Sequence, residues 1–425
     1  MAELCTRMRS FIDDEVVPLE PVLSRHDDEA AAALTRLKSR AKDLGLWALG
    51  HPQEIGGGGV PFLDFVYLNE IIGRSEFGQL AVGSVSMQDA LMLHRHGTDE
   101  QRRRWVPGLV SGEVLPSVGM TEPEVAGSDP ILVRTTATLD GDHWIINGHK
   151  WFTTGAREAG YCTVFARTEP DSTALHRSIS AIIVPTDTPG FEIVRSIPTM
   201  GHDPSDHYEV RYTDVRVPAT NLLGARGNGF VVAQDRLGPG RIFHSMRWLG
   251  QAQRAFEMMC ARANERFAHG SLLSEKGEIQ RYVAESAAEI HASRLMTLDA
   301  ARVMDSGEDA RVQIGLVKFW GARMLHNVID RAIQVHGALG LTADTPLERM
   351  YRQARYARIY DGPDEVHRMS TARRLLRDGE TRRGSSGGHR RHPVGALGSD
   401  GVGDGPAPAH RRCQPTDLVV RRGPQ

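Results

Sequence analysis

The apolar positions of this chain change period twice. From Met1 to about Gly112 they recur at helical spacing, as in Phe11, Val16, Leu19 and Val22 and again in Leu34, Leu37, Ala41 and Leu44. That spacing is the stripe of an amphipathic helix and predicts a helical first part. From Val114 to about Asn228 it gives way to short Val/Ile/Thr-rich runs split by turn signals: Thr136–Leu139, Asp140-Gly141-Asp142, His143–Ile146, then Asn147-Gly148. Runs at Cys162–Val164, Ser178–Val184, Phe191–Val194 and Glu209–Val217 extend this to a β region of about seven strands. From Gly229 to Leu376 the helical spacing returns, in proline-free segments such as Met246–Arg266 and Ile279–Arg302. The expected organisation is α+β: helical 1–113, β 114–228, helical 229–380, with 381–425 set apart.

Composition explains that last division. The stretch from Gly384 to Gln425 holds nine Gly and five Pro and lacks aromatic residues, Ile and Met, so it cannot bury enough apolar surface to offset its ordering entropy. It reads as a disordered tail. Its basic pairs, Arg390-Arg391, Arg411-Arg412 and Arg421-Arg422, read first as solvated charge and second as weak anion contacts.

Charge and cysteine usage narrow the class. With 51 Lys+Arg against 53 Asp+Glu in 425 residues, the formal charge of -2 gives no one-sign field of the kind that attracts nucleic acid. No run approaches the roughly 20 apolar residues of a membrane span. Cys5, Cys162, Cys260 and Cys413 form no CxxC pair, so neither a metal site nor a disulfide framework is expected. The N-terminus shows no apolar leader segment, and the expected location is the cytoplasm.

Two segments carry candidate chemistry. In Gly119-Met-Thr-Glu-Pro-Glu-Val-Ala-Gly-Ser-Asp129 a small-residue loop offers the hydroxyls of Thr121 and Ser128, and Gly127 leaves backbone N–H groups open to an acceptor-rich ligand. By itself the loop reads equally well as a polar turn. In Asn147-Gly-His-Lys-Trp-Phe-Thr-Thr-Gly155, alternation along a strand places Trp151 and Thr153 on one side, a flat aromatic beside a hydroxyl that could stack on a planar cofactor. Taken alone, Trp151 would read as core.

Together these segments resemble the flavin-binding signatures of the acyl-CoA dehydrogenase family. The C-terminal part matches as well: Ile333-Gln334-Val-His336-Gly337-Ala-Leu-Gly340, Leu347-Glu-Arg349-Met-Tyr-Arg352-Gln-Ala-Arg355 and Ile359-Tyr-Asp361-Gly362-Pro-Asp-Glu-Val-His367 follow the family's pattern in order and spacing. The resemblance covers roughly residues 1–378. It is nearest to the branch of family members ten and eleven through Leu237-Gly-Pro-Gly-Arg241-Ile and Asp361-Gly-Pro-Asp-Glu-Val-His367. Longer homologues of that branch can carry a kinase-like domain, and none is expected here.

The resemblance implies an acyl-CoA dehydrogenase fold: N-terminal helical domain, middle β-domain, C-terminal four-helix domain, with FAD between the last two. It implies flavin contacts from Met120, Thr121, Gly127, Ser128, Trp151 and Thr153. It places Arg266 and Phe267 at the adenosine-diphosphate part of FAD bound mainly by a neighbouring subunit. Gln334, Gly337 and Glu365 complete the set. A shared cofactor makes a homodimer the minimum unit, with a homotetramer open. The implied activity is α,β-dehydrogenation of an acyl-CoA, with an electron-transfer flavoprotein as acceptor. Two departures stand out: Glu124-Val125 lengthens the first loop by one residue, and Pro363 replaces a Thr found in many relatives. Gly56–Gly59 is not a P-loop, since no Lys-Ser/Thr follows, and resembles the family's glycine-rich hairpin loop.

Asp361 stands where the family commonly has a Glu that removes the α-proton, with Arg241 as the arginine near it. Burial beside flavin and acyl chain is expected to raise its pKa. Asp361-Gly-Pro-Asp-Glu also reads as a helix start, with Pro363 at the first helical position, and Arg241 could equally make a plain salt bridge. Other readings are a nitroalkane-oxidase-like flavin oxidase, which also uses an Asp base, a dehydrogenase of carrier-protein-bound acyl groups, and a DNA-contacting flavoprotein, which the small tail matches poorly.

Overall fold

A computed structural model describes residues 1–169, 174–200 and 205–385. The tail predicted for 384–425 lies almost wholly outside them. Seven helices open the chain: α1 (Ala2–Ser10), α2 (Glu20–Leu23), α3 (Asp28–Asp43), α4 (Phe62–Ile72), α5 (Gly78–Ala81), α6 (Met87–His96) and α7 (Asp99–Ser111). Eight strands follow: β1 (Leu115–Gly119), β2 (Thr136–Asp140), β3 (His143–Thr154), β4 (Ala159–Arg167), β5 (Ile179–Pro185), β6 (Phe191–Ser196), β7 (His207–Pro218) and β8 (Leu222–Leu223). Helix α8 (Gly229–Glu265) leads through the small hairpin β9 (Phe267–Ala268) and β10 (Ser271–Leu272) to α9 (Gly277–Asp305), α10 (Arg311–His336), α11 (Leu347–Tyr356) and α12 (Asp364–Ser385).

The sheet runs β6-β7-β3-β2-β4-β5-β8, with β1 pairing β4 in parallel. Both faces of its central strands are buried. One, with Tyr161, Phe165, Ala181 and Ile183, packs on α6 and α7 through Leu93, Val106 and Leu109. The other joins Trp144, Ile146, Val164, Ile182 and Val210.

The first and third parts, separate along the chain, share one hydrophobic core: Met8, Phe11, Phe65 and Leu68 meet Ile242, Phe243, Met246 and Leu249 of α8. Two glycines let α4 and α8 touch backbone to backbone. A Cβ on Gly73 would lie 2.2 Å from the Arg247 Cα, and one on Gly250 would lie 2.1 Å from the Glu70 carbonyl. Asn69 donates to the Phe243 carbonyl at 2.8 Å across the same contact.

Helix α8 is not broken by the glycines and proline of Leu237–Arg241. It begins at Gly229 and passes through Pro239, so Arg241 lies inside the helix and not at its start. Packing on α4, α9 and α10 outweighs the weak local propensity. The Gly56–Gly59 turn binds no phosphate with its backbone: the four N–H groups donate to the carbonyls of Gln53, Pro52, Ala48 and His51.

Candidate active site

Glu122 and Lys150 set the geometry of the first loop. Lys150 is inward-facing on β3, fully buried, and donates to the Met120 carbonyl at 2.8 Å and to Glu122 Oε1 at 2.9 Å. Glu122, also sealed, accepts the N–H groups of Arg134 (2.6 Å) and Thr135 (2.8 Å). Burial pushes the Glu122 carboxyl up, but Lys150 and these donors hold it below the ordinary carboxylate range. The Trp151 N–H reaches the Thr121 carbonyl at 3.1 Å, so Met120 and Thr121 lie directly beside the Trp151–Thr153 segment.

The alternation predicted for that segment is broken. Lys150 pairs with Val210 and Thr153 with Tyr208, so β3 carries one extra residue there, and Phe152 takes a φ of +50°. Lys150 and Thr153 are both fully buried, Trp151 is half-buried and Phe152 is 42% exposed, which is not a simple two-residue repeat. The bulge leaves two polar atoms, Trp151 Nε1 and Thr153 Oγ1, sealed and with no partner among the described residues. A buried N–H donor and a buried hydroxyl two residues apart, both without partners, can meet the hydrogen-bonding edge of a planar ring, so these residues fit a flavin.

The other sequence-predicted cofactor residues lie outward. Gly127 and Ser128 are exposed on the loop. Arg266 and Phe267 project from the end of α8, Phe267 being 64% exposed. Gln334 and Gly337 are exposed at the end of α10, where Gly337 has a φ of +64° and open space around the place of its missing Cβ. Glu365 is exposed on the first turn of α12 and pairs with Arg368 at 3.5 Å.

Asp361 lies in the turn between α11 and α12, with a φ of +53° followed by +98° at Gly362. Four hydrogen bonds from three side chains hold this turn. Arg241 Nε (3.1 Å) and His367 Nε2 (3.0 Å) donate to the Asp361 carbonyl, and Lys318 Nζ donates to the carbonyls of Ala357 (2.6 Å) and Gly362 (3.3 Å). Such a backbone costs about 1–3 kcal/mol and persists only when its surroundings over-determine it. Helix α12 starts at Asp364, so Pro363 precedes its first turn, and the buried acid paired at the helix start is Asp364, 2.9 Å from Arg358, rather than Asp361. Arg241 binds the Asp361 backbone and forms no ion pair among the described residues.

The Asp361 side chain is 21% exposed, so its carboxylate is reachable, and Oδ2 lies 3.2 Å from His244 Nε2. The expected upward pKa shift is not found. Burial does push the carboxyl up, but the contact with His244 and the positive charges of Arg241 and Arg236 outweigh it, holding Asp361 well below the usual range. It is an ionised carboxylate at neutral pH. Sequence reasoning passed over His244, Arg247 and Lys318. A signal was present: Arg241, His244 and Arg247 recur at three-residue steps along one face of a helix otherwise apolar there.

Family models match nearly the whole described chain: acyl-CoA dehydrogenase N-terminal domain over residues 2–113, middle domain over 117–215 and C-terminal domain over 227–376. The Mycobacterium tuberculosis chain named "Probable acyl-CoA dehydrogenase FadE2" is 42% identical, over 87% of this chain and 94% of its own. Mouse acyl-CoA dehydrogenase family member 10 is 37% identical over 88% of this chain, which spans only 37% of that longer protein. Among solved structures, a Bacillus anthracis acyl-CoA dehydrogenase complexed with FAD superposes with a TM-score of 0.79 at 27% identity, over 89% of this chain and 67% of its own.

Proposed function

The chain belongs to the acyl-CoA dehydrogenase family and is an oxidoreductase, and we propose that it converts an acyl-CoA thioester to the trans-2-enoyl-CoA with FAD as cofactor and Asp361 as base. The observation that carries this is the Asp361 carboxylate: ionised, partly open, and fixed by Arg241, Lys318 and His367 through its backbone turn.

When bound, the flavin supplies the hydride acceptor that no side chain can provide. Met120, Thr121, Gly127, Ser128, Trp151 and Thr153 would hold it from the β-domain, with the stranded Trp151 Nε1 and Thr153 Oγ1 gaining partners. Arg266 and Phe267 would serve the cofactor of a neighbouring subunit, with Gln334, Gly337 and Glu365 completing a shared site. Their outward position in a single chain supports a homodimer or homotetramer. Asp361 accepts the α-proton, and its turn, fixed by Arg241, His367 and Lys318, holds the carboxylate in place. An electron-transfer flavoprotein is the proposed electron acceptor. The described helices include none long and apolar enough to cross a membrane.

One observation favours a second reading. A carboxylate held below its usual pKa is a weak base, and it suits a carbon acid stronger than a thioester, as in a nitroalkane-oxidase-like oxidase.

The experiment is an anaerobic titration of the FAD-loaded protein with a panel of saturated acyl-CoAs, following visible flavin absorbance. Bleaching by wild type and none by Asp361→Asn, at equal FAD content, supports the dehydrogenase. Full bleaching by Asp361→Asn removes Asp361 from the chemistry. Bleaching by nitroalkanes alone, with rapid reoxidation in air, selects the oxidase.

A further inference from the structure

His244 lies on α8 between Asp361 and Arg247. Its Nε2 is 3.2 Å from Asp361 Oδ2, and its Nδ1 is 2.8 Å from an Arg247 guanidinium nitrogen. A guanidinium can only donate, so Nδ1 must present its lone pair, and the neutral ring then carries its proton on Nε2, toward the carboxylate. Burial, followed by the Arg247 charge, keeps His244 from protonating further, against the opposing pull of Asp361. The ring packs against two aromatics that also touch each other, Trp248 at 6.3 Å and Tyr360 at 4.9 Å between ring centroids, and Trp248 Nε1 donates to the Tyr360 hydroxyl at 2.8 Å. Lys318 Nζ lies over both of those rings, at 5.3 and 5.2 Å.

We propose that His244, held by Arg247 in the tautomer with its proton on Nε2, is a positioning residue that occupies Asp361 Oδ2 and leaves Oδ1 to take the substrate's α-proton. This rests on Asp361 being the base. An aspartate pivots on one fewer bond than a glutamate, so fixing one oxygen fixes the direction of the other. In the step itself the Cα–H bond breaks toward Oδ1 and its electron pair becomes the second Cα–Cβ bond. The Cβ hydride would leave to the flavin, which supplies the acceptor when bound, and His244 keeps its proton throughout. The charged groups facing the pair are Arg241 and Arg247 on α8, Lys318 on α10, and, through its charge on Asp361, Arg236, which is paired with Asp89. Glu70 of the adjoining α4 is engaged by Arg294.

The test uses His244→Leu, His244→Gln and Arg247→Met as FAD-loaded proteins, with the acyl-CoA that bleaches wild type fastest. In His244→Leu the flavin-reduction rate falls roughly 10–100-fold with KM nearly unchanged, the scale expected of a misplaced catalytic group. The acid limb of kcat/KM moves up toward the ordinary carboxylate range. His244→Gln, which keeps an N–H donor, recovers most of the rate, and Arg247→Met falls between. Nitrogen-15 NMR of the ring gives an independent reading in holo and apo protein, with Nδ1 unprotonated in wild type and shifted in Arg247→Met.

A wild-type rate and pH profile in His244→Leu overturns the proposal, as does a Gln variant no better than Leu. Should the Leu variant not fold, the Gln and Arg247→Met rates and the ring spectrum decide in the same way. A dead Asp361→Asn beside a normal His244→Leu sinks only this inference, whereas an active Asp361→Asn sinks the base itself.

Discussion

Lys150 Nζ lies 2.9 Å from Glu122 Oε1, and neither side chain reaches solvent, with 0% and 1% exposure. The pair joins the loop carrying Met120 and Thr121 to the strand carrying Trp151 and Thr153. Removing one partner leaves a buried charge uncompensated, a loss of about 3–5 kcal/mol. Lys150→Met is therefore expected to lower the urea midpoint strongly and to reduce bound FAD, and a double variant with Glu122→Leu should regain part of the stability. A single Lys150 variant as stable as wild type would show that the pair is not what holds the loop.

Thr153 makes opposite predictions for the apoprotein and the cofactor. Its buried hydroxyl has no partner, so Thr153→Val should leave apoprotein stability unchanged or slightly higher. Loss of one hydrogen bond should weaken flavin binding by roughly 2–10-fold. Trp151→Ala should lower flavin retention further. Calorimetry of FAD binding to the apoproteins checks both, and unchanged affinity in the two variants counts against this seat.

Gly362 has a φ of +98°, and a Cβ there would lie 2.8 Å from His367 Nε2. Gly362→Ala should cost about 1–3 kcal/mol and displace the Asp361 turn. The expected signature is a larger fall in flavin-reduction rate than in FAD content, measured by stopped flow and absorbance. Equal rates at equal content would mean that the turn tolerates the shift.

Acid stability follows from two histidines that are buried neutral. Burial brings His51 and His367 down to about 4, for His367 against the hydrogen bond it donates to the Asp361 carbonyl. Their folded pKa lies below the unfolded value near 6.5, so between those limits the unfolded chain binds more protons. Their contribution is intact above about pH 6.5 and is lost as pH falls toward 4, at a slope of up to about 1.4 kcal/mol per pH unit for each. Urea unfolding at several pH values measures it. His367→Asn should flatten the slope, and an unchanged slope would mean that His367 titrates normally in the fold.

Much of the fold was legible because local patterns carried it. The switch from helical to strand spacing near Val114 and back near Gly229 marked the change of element type that the structure shows. The two-residue β8 and the unbroken course of α8 past Pro239 were not legible. Gly238, Pro239 and Gly240 signal a break, and only burial of the flanking turns against α4 and α10 keeps the helix continuous. Of the candidate site, Asp361, Arg241 and the Trp151–Thr153 segment could be picked out from residue type and motif alone. The bulge between Lys150 and Thr153 was not, because register belongs to the pairing with β7 and not to β3 alone.

The sequence by itself determined element types, their order and the family, since periodicity and motif spacing are properties of neighbouring residues. Tertiary structure decided what depends on residues far apart in the chain. It merged the first and third helical parts into one core, and it brought Arg241 to the carbonyl of Asp361 across 120 positions. It also reversed the expected shift of Asp361. Desolvation is predictable from burial alone, but the sign of a pKa shift depends on which charges stand within a few ångströms, and that is set only when α8 packs against the turn before α12.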